Sequence, residues 1–202
     1  MMQHRTHSSA RRSSKESGFT IIETMIAIAI MSIGILTLLA AFATAVGATN
    51  NAQENLIARQ KTLEAMESIY TARNAQQITF DQIANISSGG IFTTGATQLL
   101  APGPDGLVNT ADDIPFPANG ACPTGPECLV LPGPDGILGT PDDKAMSLAN
   151  FTRQIQIGKV LESDGVTTNP NLKQITVTVS YTTGGSTVPH TYTVNALISS
   201  FN

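Results

Sequence analysis

The stretch GFTIIETMIAIAIMSIGILTLLAAFATAVG, residues 18–47, sets the architecture of this chain. After Glu23 no charged residue or histidine occurs until Glu54. A helix needs about 20 apolar residues to cross the hydrocarbon core of a bilayer, which is about 30 Å thick. Residues 24–46 are long enough, and they exceed the apolar part of a secretory signal peptide, which has about 7–15 residues. The sequence therefore predicts a membrane-spanning helix.

Charge is divided unevenly around this apolar segment. Residues 1–18 carry four basic residues and one acidic residue, a net charge of +3. Residues 19–202 carry seven basic and fourteen acidic residues, a net charge of −7. Basic residues before a span keep that end of the chain in the cytoplasm. The acidic remainder lacks the basic patch typical of nucleic-acid binding, so we expect no nucleic-acid partner.

A helical pattern continues beyond the apolar segment. Leu56, Leu63, Met66 and Tyr70 recur at spacings of seven, three and four, which predicts one face packed on a domain. Because no proline occurs in the first 101 residues, we predict one helix over about residues 19–75. The charged side chains are expected on its other positions: Glu54, Arg59, Lys61, Glu64, Glu67 and Arg73.

The segment Ser17-Gly18-Phe19-Thr20-Ile21-Ile22-Glu23 resembles the processing and methylation site of type IV prepilins and type II secretion pseudopilins. The resemblance implies that prepilin peptidase removes residues 1–18 by cutting after Gly18, and that the new terminal amine of Phe19 is methylated. Glu23 is then the fifth mature residue, where this family typically has glutamate. The resemblance also implies that the chain is a structural subunit.

Within this family, residues 27–36, AIAIMSIGIL, resemble minor pilins of the PilV type and the related I-type pseudopilins. Residue 40 is alanine, whereas common major pilins have a proline about twenty residues into the mature helix. We therefore expect a minor pilin of a type IV pilus, with a type II secretion pseudopilin as the alternative. A membrane-anchored, calcium-dependent surface protein that never polymerises is a third interpretation.

The resemblance implies partners and a location. The expected partners are the prepilin peptidase and N-methyltransferase, other pilin or pseudopilin subunits, and the inner-membrane assembly platform. Before assembly, the chain is expected to cross the inner membrane once, with its N-terminus cytoplasmic and its head outside the cytoplasm. After assembly, it is expected in a surface pilus or a periplasmic pseudopilus.

The position of Glu23 has a physical interpretation. An ionised carboxylate in hydrocarbon costs several kcal/mol unless it is paired. Cleavage after Gly18 would create an amine on Phe19, which the Glu23 of a neighbouring subunit can neutralise in a filament. The alternative is a glutamate that only reaches the membrane surface. Assembly through Phe19 and Glu23 is the interpretation that the Gly-Phe context favours.

The predicted organisation follows from these patterns. It consists of a leader (1–18), a membrane and filament-core helix (19–47), an amphipathic continuation of that helix (48–78) and a head (79–202). Nine of the eleven prolines lie between Pro102 and Pro141, which predicts loops over residues 101–143.

These loops contain a repeat. Residues 102–113, PGPDGLVNTADD, and residues 132–143, PGPDGILGTPDD, are identical at eight positions with an offset of 30. We call them loop 1 and loop 2. Acidic side chains and a sharply turning backbone suit calcium, although two carboxylates of an EF-hand are missing. A pair of Pro-Asp-Gly turns with capping aspartates is the equal alternative. The candidate calcium ligands are Asp105, Asp112, Asp113, Asp135, Asp142 and Asp143.

Between the repeats lie Cys122 and Cys128, which in an exported domain predict a small disulfide loop. A zinc site would need more ligands, and the mature chain has only His190 besides. We expect His190 to be exposed in a hairpin loop. No set of residues suggests catalysis, so an enzyme is not expected.

The C-terminal third has the period of β-strands. Apolar residues alternate with polar ones over residues 175–181 and 192–198, and Gly184-Gly185 lies between them, which predicts a hairpin. Residues 151–160 predict a third strand with Ile155 and Ile157 facing inward. The expected class is α+β, with a small antiparallel sheet over residues 151–200 packed on the amphipathic half of the long helix.

Overall fold

The computed structural model describes residues 18–183 and 188–201 of the chain. Within them, one long helix, α1, precedes a short 3₁₀ helix and six strands. The elements are α1 (Ile21–Asn74), the 3₁₀ helix (Ile86–Ser88), β1 (Thr97–Gln98), β2 (Cys128–Leu131), β3 (Lys144–Ser147), β4 (Phe151–Leu161), β5 (Thr168–Tyr181) and β6 (His190–Ser199). The predicted α+β class is confirmed, and the predicted limits of the helix agree within two residues.

The chain divides into two compact units, Met1–Ala48 and Thr49–Asn202. In the first unit, every described residue from Gly18 to Ala48 is exposed to solvent. By length and composition, α1 is a helix that can cross a membrane. An apolar surface of this kind is typical of a lipid-facing or subunit-facing segment. The predicted leader lies outside the described residues, apart from Gly18.

The second unit contains an antiparallel sheet with the strand order β1-β4-β5-β6. Phe151 pairs with Tyr181 between β4 and β5, and Val177 pairs with Val194 between β5 and β6. The predicted hairpin and third strand are therefore confirmed, while the Gly184-Gly185 connection lies outside the described residues. β2 and β3 form a separate two-stranded sheet. The prediction of loops alone over residues 101–143 was wrong for β2, because the apolar run Cys-Leu-Val-Leu pairs with β3.

The core of this unit lies between the sheet and one face of α1. Alternate residues of β5, including Ile175, Val177 and Val179, are fully buried. In the larger cluster, Ile175 and Val177 join Met66 and Ile69 of α1. The strand period of two thus buries one face of β5, and the sheet packs on the helix as predicted.

The buried face of α1 differs from the predicted one. Met66 and Ile69 are buried as expected, but Leu56 is 63% exposed and Leu63 is 45% exposed. Lys61, which was expected on the charged face, is only 5% exposed. The prediction was wrong because the face of α1 that packs on the sheet is formed largely by small residues at helical spacing. Small side chains let the sheet approach the helix closely. The small residues are Ala58, Thr62, Ala65 and Ala72.

His190 also differs from its predicted place. It is the first residue of β6 and pairs with Tyr181, instead of lying in the hairpin loop. Its ring stacks on the Tyr181 ring with the centroids 5.4 Å apart. The expected exposure of His190 is confirmed, since the residue is exposed to solvent.

Candidate functional site

The residues of the predicted processing site lie together at the start of α1. Gly18, Phe19 and Thr20 precede the first helical turn, and the Phe19 side chain is exposed. The backbone N–H of Glu23 donates to Thr20 O at 3.1 Å and to Thr20 Oγ1 at 3.3 Å. Thr20 therefore caps the helix and Glu23 occupies its third position, which is the spacing of a capping box.

This position has an electrostatic consequence. The first turn of a helix carries a partial positive charge, which favours an acidic side chain such as Glu23 and disfavours a nearby amine. A free amine at Phe19 would therefore lie beside the unfavourable end of α1. It would need a carboxylate nearby to be stable in an apolar environment.

The few hydroxyl groups of the apolar segment are satisfied within the helix. The Thr24 hydroxyl donates to Ile21 O at 2.7 Å, and the Ser32 hydroxyl donates to Ile28 O at 2.7 Å. Thr37 and Thr44 donate in the same way to carbonyl groups one turn earlier. Because hydrocarbon offers no hydrogen-bond partner, this pattern suits a segment that lies in lipid or among apolar helices.

Loop 1 is held by hydrogen bonds between its own residues. Asp105 Oδ1 accepts from the backbone N–H of Leu107 at 2.8 Å, and Asp112 Oδ1 accepts from the Thr110 hydroxyl at 2.8 Å. The bond from Thr110 holds the pKa of Asp112 below its ordinary value. A Cβ atom on Gly103 would lie 2.3 Å from the Asp112 carbonyl oxygen, so only glycine fits there.

Loop 2 repeats these contacts. Asp135 Oδ1 accepts from the backbone N–H of Ile137 at 2.9 Å, and Asp142 Oδ1 accepts from the Thr140 hydroxyl at 2.7 Å. The bond from Thr140 lowers the pKa of Asp142. A Cβ atom on Gly133 would lie 2.2 Å from Asp142 Oδ2. The two repeats therefore adopt the same turn.

The last aspartate of each repeat closes its loop. Asp113 Oδ2 accepts from the backbone N–H of Asn109 at 2.8 Å, and Asp143 Oδ2 accepts from the backbone N–H of Gly139 at 2.7 Å. Burial raises the pKa of Asp113, although the N–H groups around it and the charge of Arg153 oppose this shift. Both aspartates are half-buried.

The tips of the loops lie in different environments. In loop 1, Leu107 is 1% exposed and Val108 is buried with it in the larger core cluster. In loop 2, Ile137 and Leu138 are each 60% exposed. The same turn therefore carries an apolar pair into the core in one case and into solvent in the other.

The six candidate calcium ligands lie in these turns, and their oxygens accept hydrogen bonds from the loops themselves. Among residues 18–183 and 188–201, no three His, Cys, Asp or Glu side chains come together as ligands for one metal ion. The capping role predicted by the turn interpretation accounts for the observed bonds. Calcium binding through further carbonyl and water ligands stays a prediction.

Cys122 and Cys128 are joined by a disulfide bond, with their Cα atoms 5.8 Å apart. The predicted bridge is therefore confirmed. It closes the connection between the loops immediately before β2, and both cysteines are buried. Glu127, next to Cys128, is also buried.

A partly buried charged cluster joins α1 to this connection, and the sequence did not predict it. Lys61 Nζ forms ion pairs with Glu127 and with Glu64. Burial lowers the pKa of Lys61, but hydrogen bonds with Glu127 and Glu64 outweigh burial and raise it above its ordinary value. Lys61 lies four residues from both Ile57 and Ala65, so the three share one face of α1. This spacing was the one feature of the sequence that indicated the burial of Lys61.

Arg153 of β4 lies in the core near this cluster and is 1% exposed. Its Nε donates to Asn109 Oδ1 at 2.7 Å, and Asn109 Nδ2 donates to Arg153 O at 3.0 Å. Burial lowers the pKa of Arg153, and the charges of Glu127, Asp113 and Glu64 oppose that shift. Loop 1 is thereby fixed to β4, because Asn109 has a side chain that reaches the guanidinium group.

Comparison with known protein families adds to this geometry. Residues 13–39 match the prokaryotic N-terminal methylation motif. Neither the comparison with curated proteins nor that with solved structures gave a match. The matched residues include Gly18, Phe19 and Glu23 and the first part of α1, so the motif coincides with the exposed apolar helix. The match is confined to this N-terminal segment, and it supports a pilin-like or pseudopilin-like N-terminus.

Proposed function

We propose that the chain is a minor pilin of a type IV pilus, cut after Gly18, methylated on Phe19 and assembled through its N-terminal helix. The observation that carries the proposal is the methylation motif over residues 13–39, which extends into the part of α1 before Thr49, where every residue is exposed. Such a surface is stable in lipid before assembly and among neighbouring helices afterwards. Assembly by a membrane platform and processing by a prepilin peptidase follow from the same motif.

In this proposal Glu23 provides the polar contact of an otherwise apolar interface. Its carboxylate neutralises the Phe19 amine of a neighbouring subunit and fixes the axial position of one helix on the next. Pairing between subunits is favoured because an unpaired charge in hydrocarbon costs several kcal/mol. The place of Glu23 in the first helical turn and this pairing role are compatible, since a carboxylate has two acceptor oxygens.

Processing is tested by intact mass. We expect the mature chain to lack residues 1–18 and to carry one additional methyl group. Gly18→Leu should retain residues 1–18, because the motif that this segment resembles has a glycine before the cut. A Cβ atom at Gly18 meets no other atom within 4 Å, so this variant leaves the fold itself undisturbed. A wild-type chain that still begins at Met1 would refute the proposal.

The role of Glu23 is tested by Glu23→Ala and Glu23→Gln. Both should still insert into the membrane, because an uncharged residue favours a span. Both should be depleted from isolated filaments relative to Ser32→Ala, a matched polar-to-apolar change further along the same helix. Equal incorporation of all three variants would show that Glu23 does not pair between subunits.

The type II secretion pseudopilin is the second candidate, because the same motif supports both members of the family. A strain without this chain should lose or alter surface pili if the chain is a minor pilin. Loss of protein secretion with normal pili would identify a pseudopilin. A chain that is processed but never recovered with other subunits would favour the non-polymerising surface protein.

A further inference from the structure

The four-stranded sheet has two outer edges, and the chain itself covers the one formed by β4. Part of this edge pairs with β1, through Thr152 and Arg153. Further along, the Asn85 side chain takes the place of a strand. Its Nδ2 donates to Ile155 O at 2.8 Å, and its Oδ1 accepts from the backbone N–H of Ile157 at 2.9 Å. These backbone groups of β4 therefore have partners within the second unit.

The other edge is formed by β6, and its hydrogen-bond pattern shows which backbone groups point outward. The backbone N–H of Ser200 donates to Asn171 O at 2.9 Å, so these two residues form a hydrogen-bonded pair. In an antiparallel ladder such pairs alternate with pairs that are not hydrogen-bonded. Even-numbered residues of β6 therefore bond to β5, and odd-numbered residues direct their N–H and C=O groups away from it. The Tyr70 hydroxyl, which donates to Leu197 O at 2.7 Å, agrees with this assignment.

The outward groups of Thr191, Thr193 and Asn195 form an open stretch of the β6 edge. In the described part of the chain no strand pairs with them, whereas Leu197 is covered by Tyr70. Edges are usually protected by charges, proline or a bulge. β6 contains no Asp, Glu, Lys, Arg, Pro or Gly, and its register with β5 is regular. Because N–H and C=O groups alternate along this edge, a further extended strand is the partner that satisfies them.

The side chains of β6 indicate the composition of that strand. Tyr192, Val194 and Ala196 lie on the core side of the sheet and are half-buried, whereas their partners in β5 are fully buried. Apolar side chains at alternate positions of an added strand would cover them. On the other face, Thr193 and Asn195 form hydrogen bonds with threonine side chains of β5. Uncharged polar residues therefore suit the remaining positions of the strand.

We propose that the open edge of β6 binds an extended, uncharged strand of a different subunit in the assembled filament, with apolar side chains at alternate positions. This inference rests on the proposed filament function. A second copy of this chain is not the partner, because two β6 edges that pair about a two-fold axis form a closed dimer. Such a dimer would use both open edges and would not extend a filament.

The contact is small, and this determines where it forms. Backbone bonds to three residues and three half-buried side chains bury far less than the roughly 1,200 Å² of a stable complex. The strand therefore pairs with β6 where the filament holds both subunits at a high effective concentration, and not between dilute chains. This favours a neighbouring subunit over a freely diffusing protein.

The test is hydrogen exchange of the full-length chain, in isolated filaments and in detergent, quenched and then measured residue by residue. In detergent the amides of Thr191, Thr193 and Asn195 should exchange rapidly, while those of Val194 and Ala196 are protected by β5. In filaments the first three amides should exchange at least about tenfold more slowly, because each gains a hydrogen bond or cover from one. The amides of Val194 and Ala196 should be protected in both samples.

Thr193→Pro and Thr193→Ala are the matched pair of variants. Proline removes the outward N–H and no bond to β5, and an edge strand accepts it at such a position. Alanine keeps the N–H and removes only the hydroxyl group. We expect Thr193→Pro to be depleted severalfold from filaments relative to Thr193→Ala. Protection of Val194 and Ala196 in detergent shows that β6 still pairs with β5 in each variant.

The outcomes separate this contact from the filament function. Rapid exchange of the three outward amides in filaments that contain the chain, or equal abundance of the two variants, overturns the contact alone. Dimers of a Thr193→Cys variant, linked through that cysteine in oxidised filaments, would place a second copy at the edge and overturn the choice of a different subunit. Absence of processed chain from filaments overturns both proposals.

Discussion

Loop 1 and loop 2 share eight of twelve residues and the same internal hydrogen bonds, yet one tip lies in the core and the other in solvent. Leu107 is 1% exposed, and the equivalent Ile137 is 60% exposed. The shared residues are those that shape the turn. A short sequence can therefore set the conformation of a loop and leave its environment to the rest of the chain.

The residues that differ explain part of this divergence. Asn109 of loop 1 corresponds to Gly139 of loop 2, and both adopt positive φ, 61° and 89°. The Asn109 side chain exchanges hydrogen bonds with Arg153 and donates to Thr97 Oγ1 at 2.9 Å. Gly139 has no side chain to make such contacts, so it cannot tie loop 2 to the sheet in this way.

The largest difference between the loops is expected when the first apolar side chain of each tip, Leu107 or Ile137, is replaced by alanine. Leu107→Ala should lower the free energy of unfolding by about 2–5 kcal/mol, because it leaves a cavity in the core. Ile137→Ala should change it by less than about 0.5 kcal/mol, because that side chain is mostly exposed. Denaturant unfolding of the unit Thr49–Asn202 measures both. Equal losses would mean that loop 2 is also packed in the folded unit.

A smaller difference is expected from exchanging Asn109 and Gly139, the residues that follow the apolar pair in each loop. Asn109→Gly keeps the positive φ but removes the bonds to Arg153, so a buried guanidinium loses its acceptor. We expect a loss of about 1–3 kcal/mol, the cost of leaving a buried polar group unsatisfied.

Gly139→Asn is the matched reverse change, and its effect should stay within about 0.5 kcal/mol, as for most surface substitutions. Asparagine tolerates this backbone region better than other residues. If Asn109→Gly were as mild as Gly139→Asn, the Asn109 bonds would not fix loop 1.

A third comparison concerns pH and should show no difference between the loops. Hydrogen bonds from Thr110 and Thr140 lower the pKa values of Asp112 and Asp142. Their stabilising contribution is present above the ordinary carboxyl pKa and is lost as pH falls through the lowered values. Carboxyl titration by NMR should show both groups ionising at lower pH than an ordinary aspartate.

Valine variants provide the control for this titration. Thr110→Val should raise the pKa of Asp112, and that of Asp113, to which the same hydroxyl donates, without changing loop 2. Thr140→Val should raise the pKa of Asp142 without changing loop 1. The untouched loop in each spectrum serves as the reference. If either variant changed the pKa values of both Asp112 and Asp142, the shifts would not have a local origin.

The smallest effect is expected from calcium. Ligand that binds only the folded state adds about 2.7 kcal/mol at a hundredfold excess over Kd, which would raise the melting temperature measurably. The turn interpretation, in which the carboxylates accept bonds only from their own loops, predicts equal melting in calcium and in chelator. A higher melting temperature in calcium that disappears in the Asp112→Asn, Asp142→Asn double variant would instead support a calcium loop.

Several features were predictable because they depend on residues close in sequence. The apolar run, the helical pattern that follows it and the absence of proline predicted the limits of α1. The period of two predicted β4, β5 and β6, and the Cys122–Cys128 spacing predicted the disulfide. The spacing of Gly18, Phe19 and Glu23 was enough to indicate the family motif. Helix length, strand alternation and fixed motif spacing are local properties, so the order of residues is enough to specify them.

The face that α1 presents to the sheet was not predictable in this way. Leu56 and Leu63 fit an apolar stripe, but Ala58, Ala65 and Lys61 are buried in their place. An amphipathic pattern indicates only which face of a helix is the more apolar. Close packing instead favours the face whose small side chains let the sheet approach the helix. The ion pair with Glu127 then satisfies the lysine that this choice buries.

The order of residues alone specifies the motif at the start of α1, the long helix, the strands β4, β5 and β6, and the turn that both repeats adopt. Packing between distant segments selects which repeat enters the core, which face of α1 is covered and where Arg153 finds its partner. The two sets differ in the range of the interactions that specify them. Hydrogen bonds within a turn join residues a few positions apart, whereas Asn109 and Arg153 are 44 residues apart and meet only when the sheet and helix have packed.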